Sequence, residues 1–154
     1  MPHTFHVSSA LPVPADRFWR SQSLATVNAE LHPMYRMSAP RVWRTRPIHE
    51  WGRHERLFRS WILLRGLVPV DRHHFGTIEF PAGTTFVETS SSWLNRRWRH
   101  ERTVSPTESG CEVSDRVSFE SRLPFCGAWQ KALYVLAFRQ RHANLRSLHG
   151  DAVG

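Results

Sequence analysis

The sequence of 154 residues has one lysine, Lys131, and two cysteines, Cys111 and Cys126. The cysteines do not form a CxxC pattern, which predicts reduced thiols instead of a disulfide or a thiolate metal site. The first residues carry no charged stretch followed by an apolar run, so no signal peptide is predicted. No apolar run is long enough to span a bilayer. We therefore expect a soluble, cytoplasmic protein.

Several motifs of enzyme chemistry are also missing from the sequence. There is no P-loop, no GxGxxG before a helix and no GxSxG, so nucleotide cofactors and serine hydrolase chemistry have no support. The pairs His49-Glu50 and His54-Glu55 differ from HExxH because the two histidines are five positions apart. The adjacent residues His73 and His74 would point to opposite faces of a strand. We expect neither a metal site nor a cofactor.

The chain carries a formal net charge of +8, and all its basic residues except Lys131 are arginines. A high charge can indicate a nucleic-acid or membrane partner. The arginines, however, are spread from Arg17 to Arg146, and a GC-rich genome produces such a bias through codon usage. We interpret them as solvated or ion-paired, do not expect a nucleic-acid partner, and leave a transient contact with a membrane surface open.

The composition predicts one globular domain over residues 1–154, since 40% of the residues are hydrophobic and 22% charged. Alternation of apolar and polar residues predicts a first strand over residues 5–11. Pro14 then favours a short helix up to Ser21. A second helix over residues 23–31 begins at a serine cap and ends before Pro33.

The middle of the chain is typical of an antiparallel meander, because tight turns separate successive strands. We expect a short strand at residues 41–45 and a strand with apolar residues on both faces at residues 56–70. Four more strands are predicted at residues 73–80, 84–91, 96–104 and 111–121.

A long helix over residues 126–148 ends the chain at Gly150. Its apolar positions Trp129, Leu133, Leu136 and Ala137 fall on one stripe, which we expect to pack on the concave side of the sheet. Leu145 and Leu148 continue the apolar surface further round the helix. The predicted fold class is α+β, with about six to seven strands around this helix and two short helices after the first strand.

The order and spacing of several short motifs resemble the START-like (SRPBCC) superfamily, often labelled polyketide cyclase/dehydrase-like. The motifs are Trp-Arg-His at residues 98–100, Asp-Arg-Val-Ser-Phe at residues 115–119, Leu-Pro at residues 123–124, and Phe-x-x-Arg-His-x-x-Leu at residues 138–145. The resemblance implies a helix-grip fold with a cavity between the sheet and the last helix. It also implies that a lipid, polyketide or similar hydrophobic molecule binds there. An aromatase/cyclase-type enzyme of the same fold is the alternative, and enzymatic activity stays an open question.

Strand alternation suggests which side chains would form the site. His100 and Asp115 lie on neighbouring strands and are expected to meet, either as an acid/base pair or as a structural hydrogen-bonded pair. Glu88 is expected as a cavity carboxylate or as a partner of a nearby arginine, Arg96, Arg97 or Arg99.

Aromatic residues complete the predicted site, because pockets for apolar ligands are mainly aromatic and aliphatic. The candidate walls are Trp61, Trp93, Trp98 and Phe119, although plain core is the more ordinary place for each residue taken alone. Arg141 and His142 on the last helix are expected to pair with carboxylates of the sheet. A homodimer through an exposed edge strand is left open.

Overall fold

The computed structural model of the chain describes residues 2–52 and 57–150. Its strands are β1 (His3–Leu11), β2 (Tyr35–Met37), β3 (Arg59–Leu64), β4 (Val68–Glu79), β5 (Thr85–Ser92), β6 (Asn95–Thr107) and β7 (Gly110–Ser121). Its helices are α1 (Ala15–Ser21), α2 (Leu24–Leu31), α3 (Arg41–Arg44) and α4 (Gly127–His149), and a 3-10 helix lies at Ile48–Glu50.

The strands form one curled antiparallel sheet in the order β1-β7-β6-β5-β4-β3-β2. Helix α4 packs on its concave side, so the predicted helix-grip α+β fold is confirmed. Among the described residues, no helix has the length and apolar character needed to cross a membrane.

The two short helices after β1 begin where the sequence predicted. Ser23 caps helix α2: its hydroxyl accepts from the backbone N–H of Thr26, and the Thr26 hydroxyl accepts from the backbone N–H of Ser23. This reciprocal capping box satisfies two N–H groups that a helix start would leave unpaired. The helix ends at Leu31, shortly before Pro33.

Two predictions for the middle of the chain were wrong. Residues 41–45 hold a short helix, α3, which follows Pro40, instead of a strand. The single strand predicted over residues 56–70 is a hairpin, in which β3 and β4 are joined by a turn at Arg65 and Gly66. Both turn residues have positive φ angles, 52° and 74°. The alternation pattern did not indicate the turn, because apolar residues lie on both sides of it. Residues 53–56, which include the His54-Glu55 pair, lie outside the described residues.

Helix α4 ends before Gly150, whose φ of 88° favours glycine. The face it buries differs from the prediction. Trp129 and Leu136 are 65% and 55% exposed, and Leu133 is also exposed, so most of the predicted stripe faces outward. The buried face carries Gln130, Phe138, Arg141, His142 and Leu145.

Arg141 and His142 are accommodated on this buried face because helix α2 and the sheet present the carboxylates of Glu30 and Asp115 to them. Hydrophobic periodicity therefore selected the wrong side of the helix.

Candidate functional site

A carboxylate at the centre of the concave face, Asp115 on β7, holds together the sheet and helix α4. It is fully buried. Its Oδ1 accepts from His100 Nε2 at 2.7 Å and from Arg102 Nε at 2.8 Å. Its Oδ2 accepts from Arg102 Nη2 and His142 Nε2, each at 2.7 Å. The predicted contact between His100 and Asp115 is thus confirmed, but Asp115 has two further partners.

Arg102 on β6 extends this group towards helix α2. Its Nη1 donates to Glu30 Oε1 at 2.9 Å and to Gln22 Oε1 at 2.8 Å. Arg141 on α4 donates to Glu30 Oε2 from Nη2 at 2.7 Å. Glu30 is 1% exposed, so a buried network joins two helices to the sheet. Arg141 and His142 therefore pair with carboxylates as expected, although the partner of Arg141 belongs to a helix.

The charges in the network determine the protonation of its carboxylates. Burial alone would raise the pKa of Asp115, but the charge and hydrogen bonds of Arg102, with those of His100, hold that pKa well below its usual range. Burial likewise acts to raise the pKa of Glu30, and the charges of Arg102 and Arg141 lower it overall. Both groups are therefore ionised in the folded protein at neutral pH.

Glu88 on β5 forms a second buried group beside the first. Its Oε1 accepts from His73 Nε2 at 2.5 Å and from the Ser90 hydroxyl at 2.6 Å. Its Oε2 lies 4.0 Å from His100 Nδ1, so His100 stands between two carboxylates. Burial acts to raise the pKa of Glu88, but the charge and hydrogen bond of His73 lower it overall.

The arginine partners proposed for Glu88 were wrong, because alternation places it on the concave face with His73. Of those arginines, Arg97 lies 3.8 Å from Glu120 and Arg99 lies 3.0 Å from Glu101.

Aromatic rings line the concave face next to this polar group. The Trp98 ring contacts Tyr134 at a centroid distance of 5.4 Å and Phe119 at 6.4 Å. The His100 ring is flanked by Phe86 at 5.4 Å and Phe138 at 5.3 Å. Trp98 and Tyr134 are half-buried. The structure therefore brings together five of the predicted site residues: Glu88, Trp98, His100, Asp115 and Phe119.

Trp61 and Trp93 lie elsewhere, and their expected place in the cavity wall was wrong. Trp61 pairs with Arg72 across the β3–β4 ladder, on the face opposite to the buried Ser60 and His73. The Arg72 guanidinium stacks over the Trp61 ring at 4.4 Å. Trp93, 58% exposed, meets Trp61 edge-on at 5.0 Å.

Several residues of the site were missed from the sequence. Arg102 shares a strand face with Trp98 and His100, so alternation contained a signal for it. His73 was placed on a strand but considered only as a metal ligand. Glu30 carries no signal, because a glutamate in an amphipathic helix is ordinarily on the surface.

The buried polar group has limited means for chemistry on its own. His100 is hydrogen-bonded to Asp115 and lies 4.0 Å from Glu88, and all four contacts of Asp115 are already made within the protein. Among residues 2–52 and 57–150, no three His, Cys, Asp or Glu side chains are arranged to hold a metal ion. Cys111 and Cys126 are free thiols.

Comparisons with known proteins agree with this architecture. The model of a family described as "Domain of unknown function (DUF8410)" matches residues 9–149. No match to a curated protein sequence was found.

Solved structures resemble the chain over nearly its full length. The protein CV1439 from Chromobacterium violaceum is 16% identical, with a TM-score of 0.67 over 96% of this chain and 97% of that one. A START superfamily protein from Mycobacterium smegmatis is 12% identical, with a TM-score of 0.60 over 96% of each chain. The Zhui aromatase/cyclase from Streptomyces sp. R1128 is 10% identical, with a TM-score of 0.63 over 97% of this chain and 94% of that one. At these identities the likeness establishes the START-like fold.

Proposed function

Because the chain belongs to the DUF8410 family and has the START-like fold, we propose that it binds a hydrophobic small molecule between the sheet and helix α4. The fold is that of hydrophobic-ligand-binding proteins, which supports the general class of ligand.

One observation carries the proposal: half-buried aromatic rings line the concave face beside a buried polar group. Trp98 and Tyr134 meet edge-on, and Phe119 packs against both. Rings that are only half-buried present part of their surface to a ligand, while Phe119 and Phe138 give them a rigid backing. Glu88 and His100 add polar groups that can orient a ligand.

The two tryptophans Trp98 and Trp93 offer a matched test of this site. We would titrate the purified protein with N-phenyl-1-naphthylamine, a neutral apolar probe, and follow its fluorescence. Saturable binding near one probe per chain is expected. Trp98→Leu should weaken it about tenfold, since a ring of the wall is lost. Trp93→Leu should bind within about twofold of the original protein, because Trp93 is 58% exposed and its ring contacts Trp61 instead of the aromatic wall.

Circular dichroism would first establish that both variants keep the fold. Equal weakening by both substitutions, or no saturable binding to the original protein, would contradict the proposed site.

The His100–Asp115 pair supports a second candidate, an aromatase/cyclase-type activity on a polyketide-like substrate. A buried histidine hydrogen-bonded to a carboxylate can serve as an acid/base group. In an assay with an aromatic polyketide precursor analogue, turnover should then depend on pH and disappear in His100→Gln. Turnover that persists in this variant would remove His100 as the acid/base group.

A further inference from the structure

The first turn of helix α4 buries a side-chain amide without a partner. Gln130 is 3% exposed and lies on the face of α4 that packs inward. Neither its Nε2 nor its Oε1 has a partner with good hydrogen-bond geometry among the residues that the structure describes, although the amide lies close enough to the Tyr134 hydroxyl to lower the pKa of that group. Buried amides are ordinarily paired, since an unpaired one carries the full cost of its desolvation.

A second amide with an unpaired atom belongs to the same cluster. Asn95, at the start of β6, is 3% exposed. Its Nδ2 donates to Tyr134 Oη at 2.8 Å and to Ser92 Oγ at 3.3 Å. Its Oδ1 has no hydrogen-bond partner in the described part of the chain. Tyr134, one turn of helix after Gln130, thus links the two amides.

The cluster adjoins the aromatic wall. The Tyr134 ring contacts Phe119 at 4.9 Å and Trp98 at 5.4 Å. A molecule lying against these rings would therefore have one end near Tyr134 and the two amides.

The chemistry of the cluster selects a neutral partner. Burial raises the pKa of Tyr134, and hydrogen bonding with Asn95 and Gln130 lowers it by less; with the charge of Asp71 the pKa is raised overall, so the hydroxyl stays protonated. The Asp71 carboxylate would also repel an anionic group. The unpaired atoms are one amide nitrogen, a donor, and two amide oxygens, which are acceptors. Their best complement is a group that both donates and accepts.

We propose that Gln130 and Asn95 recognise a neutral amide-type group, a carboxamide or a lactam, on the hydrophobic ligand. The ligand's carbonyl accepts from Gln130 Nε2, and its N–H donates to Gln130 Oε1 or Asn95 Oδ1. This inference rests on the proposed function, and it adds the polar group by which the site distinguishes one hydrophobic molecule from another.

Three probes with the same ring system test this recognition: 2-naphthamide, 2-naphthoate and naphthalene. Each would compete with N-phenyl-1-naphthylamine for the original protein and for Gln130→Leu. Gln140→Leu is the matched control, because Gln140 lies on the same helix and its Nε2 is already paired with Asn144 at 3.0 Å.

The original protein and Gln140→Leu should prefer 2-naphthamide over both other probes by about tenfold or more. Gln130→Leu should lose this preference and bind naphthalene at least as well. Without any probe, the urea midpoint of Gln130→Leu should equal or exceed that of the original protein, because a buried unpaired amide has been replaced by an apolar group.

Two results would overturn the inference while leaving the proposed function intact: no preference for 2-naphthamide over naphthalene, or a preference unchanged by Gln130→Leu. A clear fall of the urea midpoint in Gln130→Leu would also overturn it, since it would mean that the folded protein itself uses the amide. Failure of the original protein to bind N-phenyl-1-naphthylamine would instead refute the proposed function, and the inference with it.

Discussion

Replacing Asp115 by asparagine tests whether the buried network organises the fold. The substitution keeps the size of the side chain but removes its charge and turns one acceptor oxygen into a donor nitrogen. That nitrogen would face the donors of Arg102 and His142, or of Arg102 and His100. The Arg102 charge would be left with Glu30 as its only carboxylate partner in the described network.

The expected loss is large because both charges are buried. Breaking a buried ion pair by changing one partner costs about 3–5 kcal/mol. Since a domain is typically stable by only about 5–15 kcal/mol, this is a substantial fraction. For a chain of this size the loss corresponds to a fall of about 6–20 °C in Tm.

Urea unfolding followed by tryptophan fluorescence would measure the change, with Glu120→Gln as the matched control. Glu120 is partly exposed and lies 3.8 Å from the exposed Arg97, so its loss should cost less than about 1 kcal/mol. A loss below about 1 kcal/mol for Asp115→Asn, equal to the control, would refute the argument that this network is energetically important.

The pH dependence gives an independent reading of the same network. The pKa values of Asp115 and Glu30 are lowered by folding. Their contribution to stability is therefore complete above the unfolded-chain pKa of about 4 and is lost as the pH falls through the lower folded-state values. Asp115→Asn removes one of these groups, so its free energy of unfolding should fall less steeply in acid than that of the original protein.

Three further predictions concern helix faces, capping and thiols. Phe138→Ala should lower the free energy of unfolding, measured in urea, by about 3–5 kcal/mol, and Trp129→Ala should lower it by less than about 1 kcal/mol. The reverse order would mean that the stripe containing Trp129 is the buried one. Ser23→Ala should cost about 1 kcal/mol through loss of the cap, and no loss would contradict the capping box. Cys111 is fully buried, and burial raises the pKa of its thiol. Iodoacetamide should therefore label Cys111 only after unfolding, and Cys126 earlier. Peptide mass spectrometry would follow the labelling, and equal labelling rates of the two thiols in the folded protein would contradict this.

The sequence was sufficient for the architecture because turn residues and strand alternation are local signals. A few neighbouring residues determine each of these features: the capping box at Ser23, the end of helix α4 at Gly150, and the turn between β6 and β7 just before Gly110. The β3–β4 hairpin was missed because Arg65 and Gly66 are flanked by apolar residues, so the alternation continued across the turn.

The site could be predicted only where polar residues share a strand face. His100 and Asp115 meet because β6 and β7 pair in a hairpin, and alternation was enough to place them together. Trp61 was misplaced because β3 has apolar residues on both faces, which leaves the inward face undetermined.

The buried side of helix α4 could not be found from hydrophobicity. Arg141 and His142 face inward because Glu30 and Asp115 accept hydrogen bonds from them, and these partners lie far away in sequence. An apolar stripe at Trp129 and Leu136 is stronger in the pattern but faces outward. Buried charge networks depend on long-range pairing, which a single periodic pattern does not report.

The central claim is that a hydrophobic molecule binds between the sheet and helix α4, and native mass spectrometry of the protein purified from its own host tests it most directly. The account predicts a complex with one small molecule per chain, released by organic solvent. If the spectrum shows the bare chain alone, and its mass is still unchanged after incubation with N-phenyl-1-naphthylamine, the account is contradicted.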